Sequence, residues 1–240
     1  MIPLLTISWD KRATFIERPN RFLGLCNIED KNRPVRAHIK DPGRLKELLY
    51  PGNHVLLKRA NGANRKTKWD LIAARSTDLN SWVLVNSGYH SLIARNILLH
   101  KEISPYKSIK DIRSEVKVQN SRLDFLITLK NDEKIFIEVK GCTLEKDGKA
   151  LFPDAPTARG VRHLEELLNI VKSGYGAAIF FLIFCQNVTC FSANRGTDKR
   201  FYKVFNEISK SDTSIYCFLL EYKEDFKVYF KEMLPLCKDL

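Results

Sequence analysis

The sequence predicts a small β-barrel over residues 1–86, followed by an α/β domain with a mixed sheet over residues 87–240. In the first part, short apolar segments alternate with turn sequences such as PGN and NGAN. In the second part, strand-like segments alternate with two stretches whose apolar residues recur at helical spacing. The charge also changes, from 16 basic and 8 acidic residues in the first part to 24 and 20 in the second.

The elements of the first part follow the order of an OB-fold. Its predicted strands span residues 13–18, 21–28, 33–39, 54–59, 68–74 and 82–86. A short helix is predicted between the third and fourth strands, capped by Asp41, opened by Pro42 and ended at Pro51. Three strands, a short helix and further strands are typical of this five-stranded barrel, which binds oligonucleotides in many proteins.

The second part predicts helices packed on a sheet. The predicted helices cover residues 88–100 and a stretch from an N-cap at Thr157 to about Val171. The predicted strands cover residues 112–118, 121–129, 134–140 and 177–184, with two more near the end of the chain. This order of a helix, a β-meander, a helix and a fully apolar strand indicates an α/β layer with a mixed sheet.

The bulk charge and the cysteines narrow the class of protein. A net charge of +12 favours a polyanionic partner, nucleic acid before membrane, although solubility alone is the alternative interpretation. The N-terminus does not have the pattern of a signal peptide, and the longest apolar run is too short to cross a bilayer. Six cysteines without any CxxC spacing predict buried free thiols in a cytoplasmic protein, and no zinc site.

Basic side chains suggest where nucleic acid would bind. In the loop NGANRKTKW, Arg65, Lys66 and Lys68 suit phosphate contacts, and Trp69 suits either base stacking or the core. Arg18, Arg21 and Arg44 are further candidates in the first part, with pairing to Glu47 as the alternative for Arg44. Arg159 lies at the start of the second helix, where it could hold a phosphate, and His163 follows one turn later.

The segment KIFIEVKG, residues 134–141, carries two charges inside an apolar run. Residues two apart share one face of a strand, so Glu138 and Lys140 point the same way. If strands 121–129 and 134–140 form a hairpin centred on Asn131, then Asp124 lies opposite Glu138. The opposite face of the hairpin is then wholly apolar and is predicted to be core. It consists of the alternate residues Leu123, Phe125, Ile127, Leu129, Ile135, Ile137 and Val139.

Two neighbouring carboxylates repel each other unless a cation lies between them. Mg²⁺ or Mn²⁺ is the expected cation, because such ions take oxygen ligands and leave positions for water and phosphate. Lys140 would orient or deprotonate the attacking water and offset charge in the transition state. The alternative is a surface ion-pair cluster that contributes less than about 1 kcal/mol to stability.

An Asp on one strand and Glu-Val-Lys on the next resemble the core of PD-(D/E)xK nucleases. The whole chain resembles the sugar fermentation stimulation protein A family in RPNRF, HIKDPGRLKELL, RKT, SRLDF, FIEVKGCTL and FPDAPTARGVRHLEEL. The resemblance implies an OB-like N-terminal domain, a nuclease-like C-terminal domain and DNA binding. It implies that Asp124 and Glu138 bind the metal and that Lys140 is the catalytic lysine. Glu115, in the strand before, is either the further acid that some members of the nuclease superfamily use or an exposed strand residue. Leu123 stands where the nuclease motif has proline.

We therefore expect a cytoplasmic DNA-binding protein of little sequence specificity with a metal-dependent phosphodiesterase site, for which RNA is a further possible substrate. One alternative is a non-catalytic DNA-binding regulator linked to sugar metabolism that keeps a nuclease fold. Another is a metal-dependent scaffold without catalysis.

Overall fold

The computed structural model of the chain describes residues 1–30, 32–62, 65–76, 81–119 and 121–238, and all that follows concerns these residues. Its first strands are β1 Ile2–Thr6, β2 Lys11–Asn20, β3 Leu23–Asn27, β4 Val35–His38, β5 His54–Arg59, β6 Trp69–Arg75, β7 Trp82–Leu84 and β8 Ile109–Val118. They are followed by β9 Ser121–Leu129, β10 Lys134–Cys142, β11 Leu144–Lys146, β12 Lys149–Phe152, β13 Gly176–Ile183, β14 Cys190–Ala193, β15 Ser214–Tyr222 and β16 Lys227–Leu234. The helices are α1 His90–Leu99, α2 Ala158–Lys172 and α3 Lys199–Ile208.

The predicted OB-like barrel is confirmed. Strands β2 to β6 are ordered β4-β3-β2-β5-β6, and a parallel pairing of β4 with β6 closes the ring. Ala37 lies opposite Trp69 at this closure, and His38 lies opposite Asp70. The alternating apolar residues of these strands fill the barrel with an apolar core, for example Phe15, which is almost completely buried.

The helix predicted between β4 and β5 is wrong. The segment makes one turn, in which the N–H of Leu49 donates to the carbonyl of Leu45 at 2.7 Å, and it does not continue as a helix. The Asp41 side chain accepts from the N–H of Gly43 at 2.7 Å, and Asp154 accepts from the N–H of Leu45 at 3.1 Å. Leu45 also has a φ of +50°, in the left-handed region. The left-handed conformation of Leu45 cannot continue a right-handed helix, and the Leu45 N–H donates to Asp154 instead of to a carbonyl one turn earlier, so the backbone turns away.

The second part forms the mixed sheet that the sequence predicts. Strand β7 joins the barrel to this sheet, which continues in the order β7-β15-β13-β10-β9-β8. Strands β10, β13 and β15 are parallel, whereas β8, β9 and β16 pair antiparallel with their neighbours. Helix α1 packs in one core cluster, and α2 and α3 pack in the other. Strand β1 pairs with β16, so the first residues of the chain extend the second sheet.

The cysteine prediction is wrong for one pair. Cys190 and Cys237 form a disulfide between β14 and the C-terminal segment, where Phe191 also bridges to Leu236. The remaining cysteines are free and buried: Cys26, Cys142, Cys185 and Cys217. Along the described part of the chain, no helix is long and apolar enough to cross a membrane.

Candidate metal and nucleic-acid site

The β9–β10 hairpin has the predicted register, with Ile137 opposite Phe125. The regular pairing ends there, and the N–H of Val139 donates to Asp124 Oδ2 at 2.8 Å instead of to a carbonyl of β9. A carboxylate thus takes the place of the next backbone acceptor, which holds Asp124 beside β10 at the level of Glu138.

The hairpin is core on one face, with one exception. Ile135, Ile137 and Val139 pack in the cluster that contains α1. Leu123, which the alternation predicts for this cluster, packs in the cluster of α2 instead. The exception falls immediately before Asp124, where the regular pairing with β10 has ended.

Asp124, Glu138 and Lys140 line a cleft of about 610 Å³ between the barrel and the second sheet. The barrel side contributes Arg21, Asp41, Pro42, Gly43 and Leu45. The opposite side consists of the loop after β12 and the first turn of α2. The cleft therefore has polar residues from both parts of the chain.

Glu138 is the most deeply buried acid of the cleft, with 2% of its surface exposed. Its Oε1 atom contacts the ammonium of Lys140 and Nδ1 of His163, whereas its Oε2 atom is buried and has no hydrogen-bond partner among the residues that the structure describes. Burial alone would raise the pKa of Glu138, but the charge of Lys140 and the hydrogen bond from His163 outweigh it and lower the pKa. Glu138 is accordingly a carboxylate with one oxygen still available.

His163 connects Glu138 to the start of α2. The Nε atom of Arg159, one turn earlier, donates to Nε2 of His163 at 3.4 Å. If Nε2 accepts, then Nδ1 carries the proton and donates to Glu138, as these partners assign it. The helix begins as predicted, since Thr157 caps it by accepting from the N–H of Gly160 at 3.0 Å. His163 thus lies in a chain of contacts that runs from Arg159 to Glu138.

The pKa of Asp124 is shifted in the opposite direction from that of Glu138. Burial and the neighbouring Glu138 charge raise the pKa of Asp124 to about 6, against the opposing N–H of Val139 and charge of Lys140. Ser91 from α1 adds a long hydrogen bond of 3.4 Å. The charge of Glu138 therefore disfavours the ionised form of Asp124.

Glu115 lies outside this group. Its side chain is 74% exposed and pairs with Arg122 at 3.3 Å, and its φ of +54° interrupts the regular conformation of β8. Among the residues that the structure describes, no three His, Cys, Asp or Glu side chains are gathered closely enough to hold a metal ion. Asp124 and Glu138 would thus supply two protein ligands, and water and phosphate would supply the rest.

Arg18 has its donors occupied. Its guanidinium donates to the carbonyls of Arg21 at 2.6 Å, Gly43 at 2.9 Å and Arg44 at 2.5 Å. It also reaches the carbonyl of Asp41 at 3.2 Å. Arg18 thus joins the β2–β3 turn to the segment after β4, and the side chains of Arg21 and Arg44 remain exposed on this joined wall.

The basic loop before β6 contains one paired and two exposed cations. Arg65 binds both oxygens of Asp70, one of them at 3.1 Å. Lys66 and Lys68 are exposed. Trp69 is half-buried and packs against the barrel core, as in the core interpretation of this residue. Residues 63 and 64, in the same predicted loop, lie outside the described residues.

Two site residues have no signal in the local sequence. Ser91 and His90 reach the cleft from α1 because the fold brings this helix onto β10. The ring of His90 stacks on Phe184 with centroids 5.7 Å apart, and burial lowers the pKa of His90 to about 4. The ring also lies against Gly141, where any side chain would collide with it. The Lys-Gly pair that ends KIFIEVKG therefore allows α1 to approach the site closely.

Comparison with known proteins agrees with the resemblance in the sequence. The family model described as "SfsA N-terminal OB domain" matches residues 16–85, and "Sugar fermentation stimulation protein RE domain" matches residues 88–226. A "Sugar fermentation stimulation protein homolog" from Methanococcoides burtonii is 40% identical over 240 residues, with 98% of this chain and 96% of that protein covered. A protein of the same description from Thermotoga petrophila is 43% identical over 236 residues, with 98% and 99% covered.

A solved structure has the same fold. It is described as the structure of Pyrococcus furiosus SfsA in complex with Ca²⁺, and it superimposes with a TM-score of 0.91 at 26% identity. The match covers 99% of this chain and 100% of that one. With both family models and full-length relatives in agreement, the chain belongs to the sugar fermentation stimulation protein (SfsA) family.

Proposed function

We propose that this chain is a DNA-binding phosphodiesterase that uses a divalent cation, Mg²⁺ or Mn²⁺, at Asp124 and Glu138, with Lys140 as the catalytic lysine. The observation that carries the proposal is Glu138 Oε2, a buried carboxylate oxygen without a hydrogen-bond partner. Leaving such an acceptor unpaired costs about 1–3 kcal/mol, and more for a charged group. A cation bound between the two acids would remove that cost.

The residues present fit a hard divalent cation. Mg²⁺ is usually held by one or two carboxylates and keeps several waters, which suits a pair of acids in an open cleft. A cation would also relieve the repulsion that raises the pKa of Asp124. The Pyrococcus furiosus relative was described in complex with Ca²⁺, another oxygen-binding cation, which supports metal binding in this family.

Each side chain of the cleft then has a role. When bound, the cation supplies Lewis-acid activation of the phosphate and neutralises charge. Lys140, whose side chain is 13% exposed, would hold the attacking water and offset the charge that develops on the phosphate oxygens. Arg159 and Arg21, exposed on opposite sides of the cleft, would hold neighbouring phosphates.

The partner proposed is DNA with little sequence preference. Its candidate contacts are Arg and Lys side chains suited to phosphates, which position a duplex without reading its bases. Lys66, Lys68 and Arg44 would extend the contact over the barrel, whereas Arg18 and Arg65 would act through the loops that they hold. We place the protein in the cytoplasm, where DNA is available, and treat RNA as a second substrate to be tested.

The direct experiment is a cleavage assay on plasmid, single-stranded DNA and RNA, with Mg²⁺ or Mn²⁺ and with EDTA. We expect metal-dependent cleavage of DNA that Lys140→Ala abolishes and that the matched variant Lys130→Ala, exposed at the turn of the β9–β10 hairpin outside the cleft, retains. If purified protein cleaves none of these substrates with either metal, the catalytic part of the proposal fails.

A second candidate is DNA binding without cleavage, as in a regulator of sugar metabolism. The observation that favours it is the contact of Lys140 with Glu138, which ties the lysine to an acid that the metal would need. Salt-sensitive DNA binding without metal-dependent cleavage in the same assay would establish this alternative.

A further inference from the structure

A second basic surface lies along α3, outside the cleft. A shallow groove of about 530 Å³ is lined there by Arg195, Lys199, Lys203 and Lys210, with Glu207 as its one acidic residue. All four cationic side chains are exposed. Within the described residues, none of the four takes part in an ion pair that would neutralise it. We call these four residues and Tyr202 the α3 surface.

The cations of the α3 surface are aligned. Lys199 and Lys203 are four residues apart and so lie on one side of the helix, about 6 Å apart along its axis. Lys210 follows shortly after the helix ends. The guanidinium of Arg195 lies over the ring of Tyr202 at 5.8 Å, which holds it beside the lysines. The result is a row of positive charge.

The start of α3 is hydrogen-bonded to the wall of the cleft. The backbone N–H of Asn194 donates to the carbonyl of Phe152 at 2.7 Å, and its side chain donates to the carbonyl of Pro153 at 3.1 Å. Asp198, the N-cap of α3, accepts from the N–H of Thr157 at 2.8 Å. Phe152, Pro153 and Thr157 all line the cleft. The α3 surface, which begins at Arg195 and Lys199 beside these residues, is therefore adjacent to this wall of the cleft.

We propose that the α3 surface binds the phosphodiester backbone of the same DNA beyond the segment held in the cleft. This inference rests on DNA as the partner in the proposed function, but it does not require cleavage. Four like charges on one exposed face repel each other, and a polyanion relieves that repulsion by releasing its counterions.

A lipid surface fits the α3 surface less well. Membrane-binding helices combine basic residues with large exposed apolar side chains that enter the bilayer. The large exposed apolar residues among those described all lie elsewhere: Met1, Phe22, Leu92, Leu99, Tyr175, Phe226 and Met233. The apolar side chains of α3 itself are buried, as in Phe201 and Phe205.

The test compares two triple variants on a labelled 30-base-pair duplex in EDTA, so that metal-dependent cleavage does not occur. One variant is Lys199→Gln/Lys203→Gln/Lys210→Gln. The matched control is Lys130→Gln/Lys134→Gln/Lys172→Gln, which removes the same charge at the end of the hairpin and of α2 away from the cleft. The slope of log affinity against log salt should fall by about 2 to 3 in the first variant and stay unchanged in the control.

The outcomes separate this inference from the catalytic proposal. If wild-type protein does not cleave DNA but the α3 variant loses salt slope, the surface is supported and the catalytic proposal fails. If the wild type cleaves and both triple variants keep the wild-type slope, the α3 surface is overturned. The α3 surface would also be overturned if the Lys199→Gln/Lys203→Gln/Lys210→Gln variant lost binding to anionic phosphatidylserine vesicles but kept the wild-type salt slope of DNA binding. If thermal unfolding shows that the triple variant does not fold, Lys203→Gln alone should lower the slope by about 0.9.

Discussion

Two pairs of carboxylates line the same cleft, and they are used differently. Asp124 and Glu138 lie on the β9–β10 hairpin. Asp41 lies in the segment after β4, and Asp154 lies in the loop after β12. In the second pair, the facing oxygens accept backbone N–H groups and fix the segment after β4. In the first pair, Glu138 Oε2 is buried without a partner.

The basic side chains beside the two pairs of carboxylates also have different contacts. Arg18 lies near Asp41 but directs its donors to backbone carbonyls, so it joins two loops. Lys140 contacts Glu138 directly and lines the open cleft. Burial raises the pKa of both Asp41 and Asp124, to about 7 and about 6. A shifted pKa therefore does not distinguish the two pairs, whereas a buried carboxylate oxygen that has no hydrogen-bond partner among the described residues does.

The largest expected difference between the pairs is in catalysis. Asp124→Asn should lower the rate of metal-dependent DNA cleavage about 100- to 1000-fold, because it removes charge at the reacting centre. Asp154→Asn, on the structural pair, should stay within a few-fold of wild type, since its amide oxygen can still accept from Leu45. Single-turnover cleavage of plasmid DNA measures both, and equal losses would remove the distinction.

The next effect is on stability. The pKa of Asp41 is raised to about 7 by burial and by Asp154, against the hydrogen bond from Gly43. The folded state thus binds this proton more tightly than the unfolded state, so the aspartate reduces stability as pH rises from about 4 to about 7. Asp41→Asn keeps the acceptor for Gly43 without the charge. It should gain stability relative to wild type over this range, reaching on the order of 4 kcal/mol at pH 7 and above.

Urea unfolding at a series of pH values checks this prediction. Near pH 4, where the wild-type Asp41 is protonated in the folded state, the pH-dependent part of the difference in unfolding free energy should be close to zero. A difference that shrinks as pH rises would contradict the role given to Asp41.

A smaller effect is expected at His163, which holds Glu138 without touching the proposed metal. His163→Ala should weaken divalent metal binding about tenfold, since outer hydrogen bonds orient a ligating carboxylate. His163→Asn offers a side-chain N–H near the position of Nδ1 and should restore most of the affinity. Calorimetric titration with Mn²⁺ measures this, and an alanine variant that binds like wild type would show that Glu138 is positioned without His163.

The sequence predicts the hairpin and its register because alternation with a period of two and a short turn leave little freedom. It also predicts the barrel, the mixed sheet and the cap of α2, each of which depends on local pattern. The predicted helix after β4 failed because Asp154, more than a hundred residues later, accepts from Leu45.

Other features depend on contacts that the sequence does not encode locally. The Cys190–Cys237 disulfide depends on the C-terminal segment returning to β14. The sequence predicts Arg18 as a phosphate contact, because it does not show that the carbonyls of two loops accept from its guanidinium in the folded chain. The α3 surface was not identified from the sequence, because neither the helix nor its contacts with the cleft wall was predicted.

The most direct test of the difference between the two carboxylate pairs is calorimetric titration with Ca²⁺, the cation described with the Pyrococcus furiosus relative. Wild-type protein, Glu138→Gln and Asp154→Asn are compared at one pH and salt concentration. We predict that Glu138→Gln loses measurable binding, whereas Asp154→Asn binds like wild type. Unchanged binding in Glu138→Gln together with lost binding in Asp154→Asn would place the cation on the other pair and contradict the proposed site.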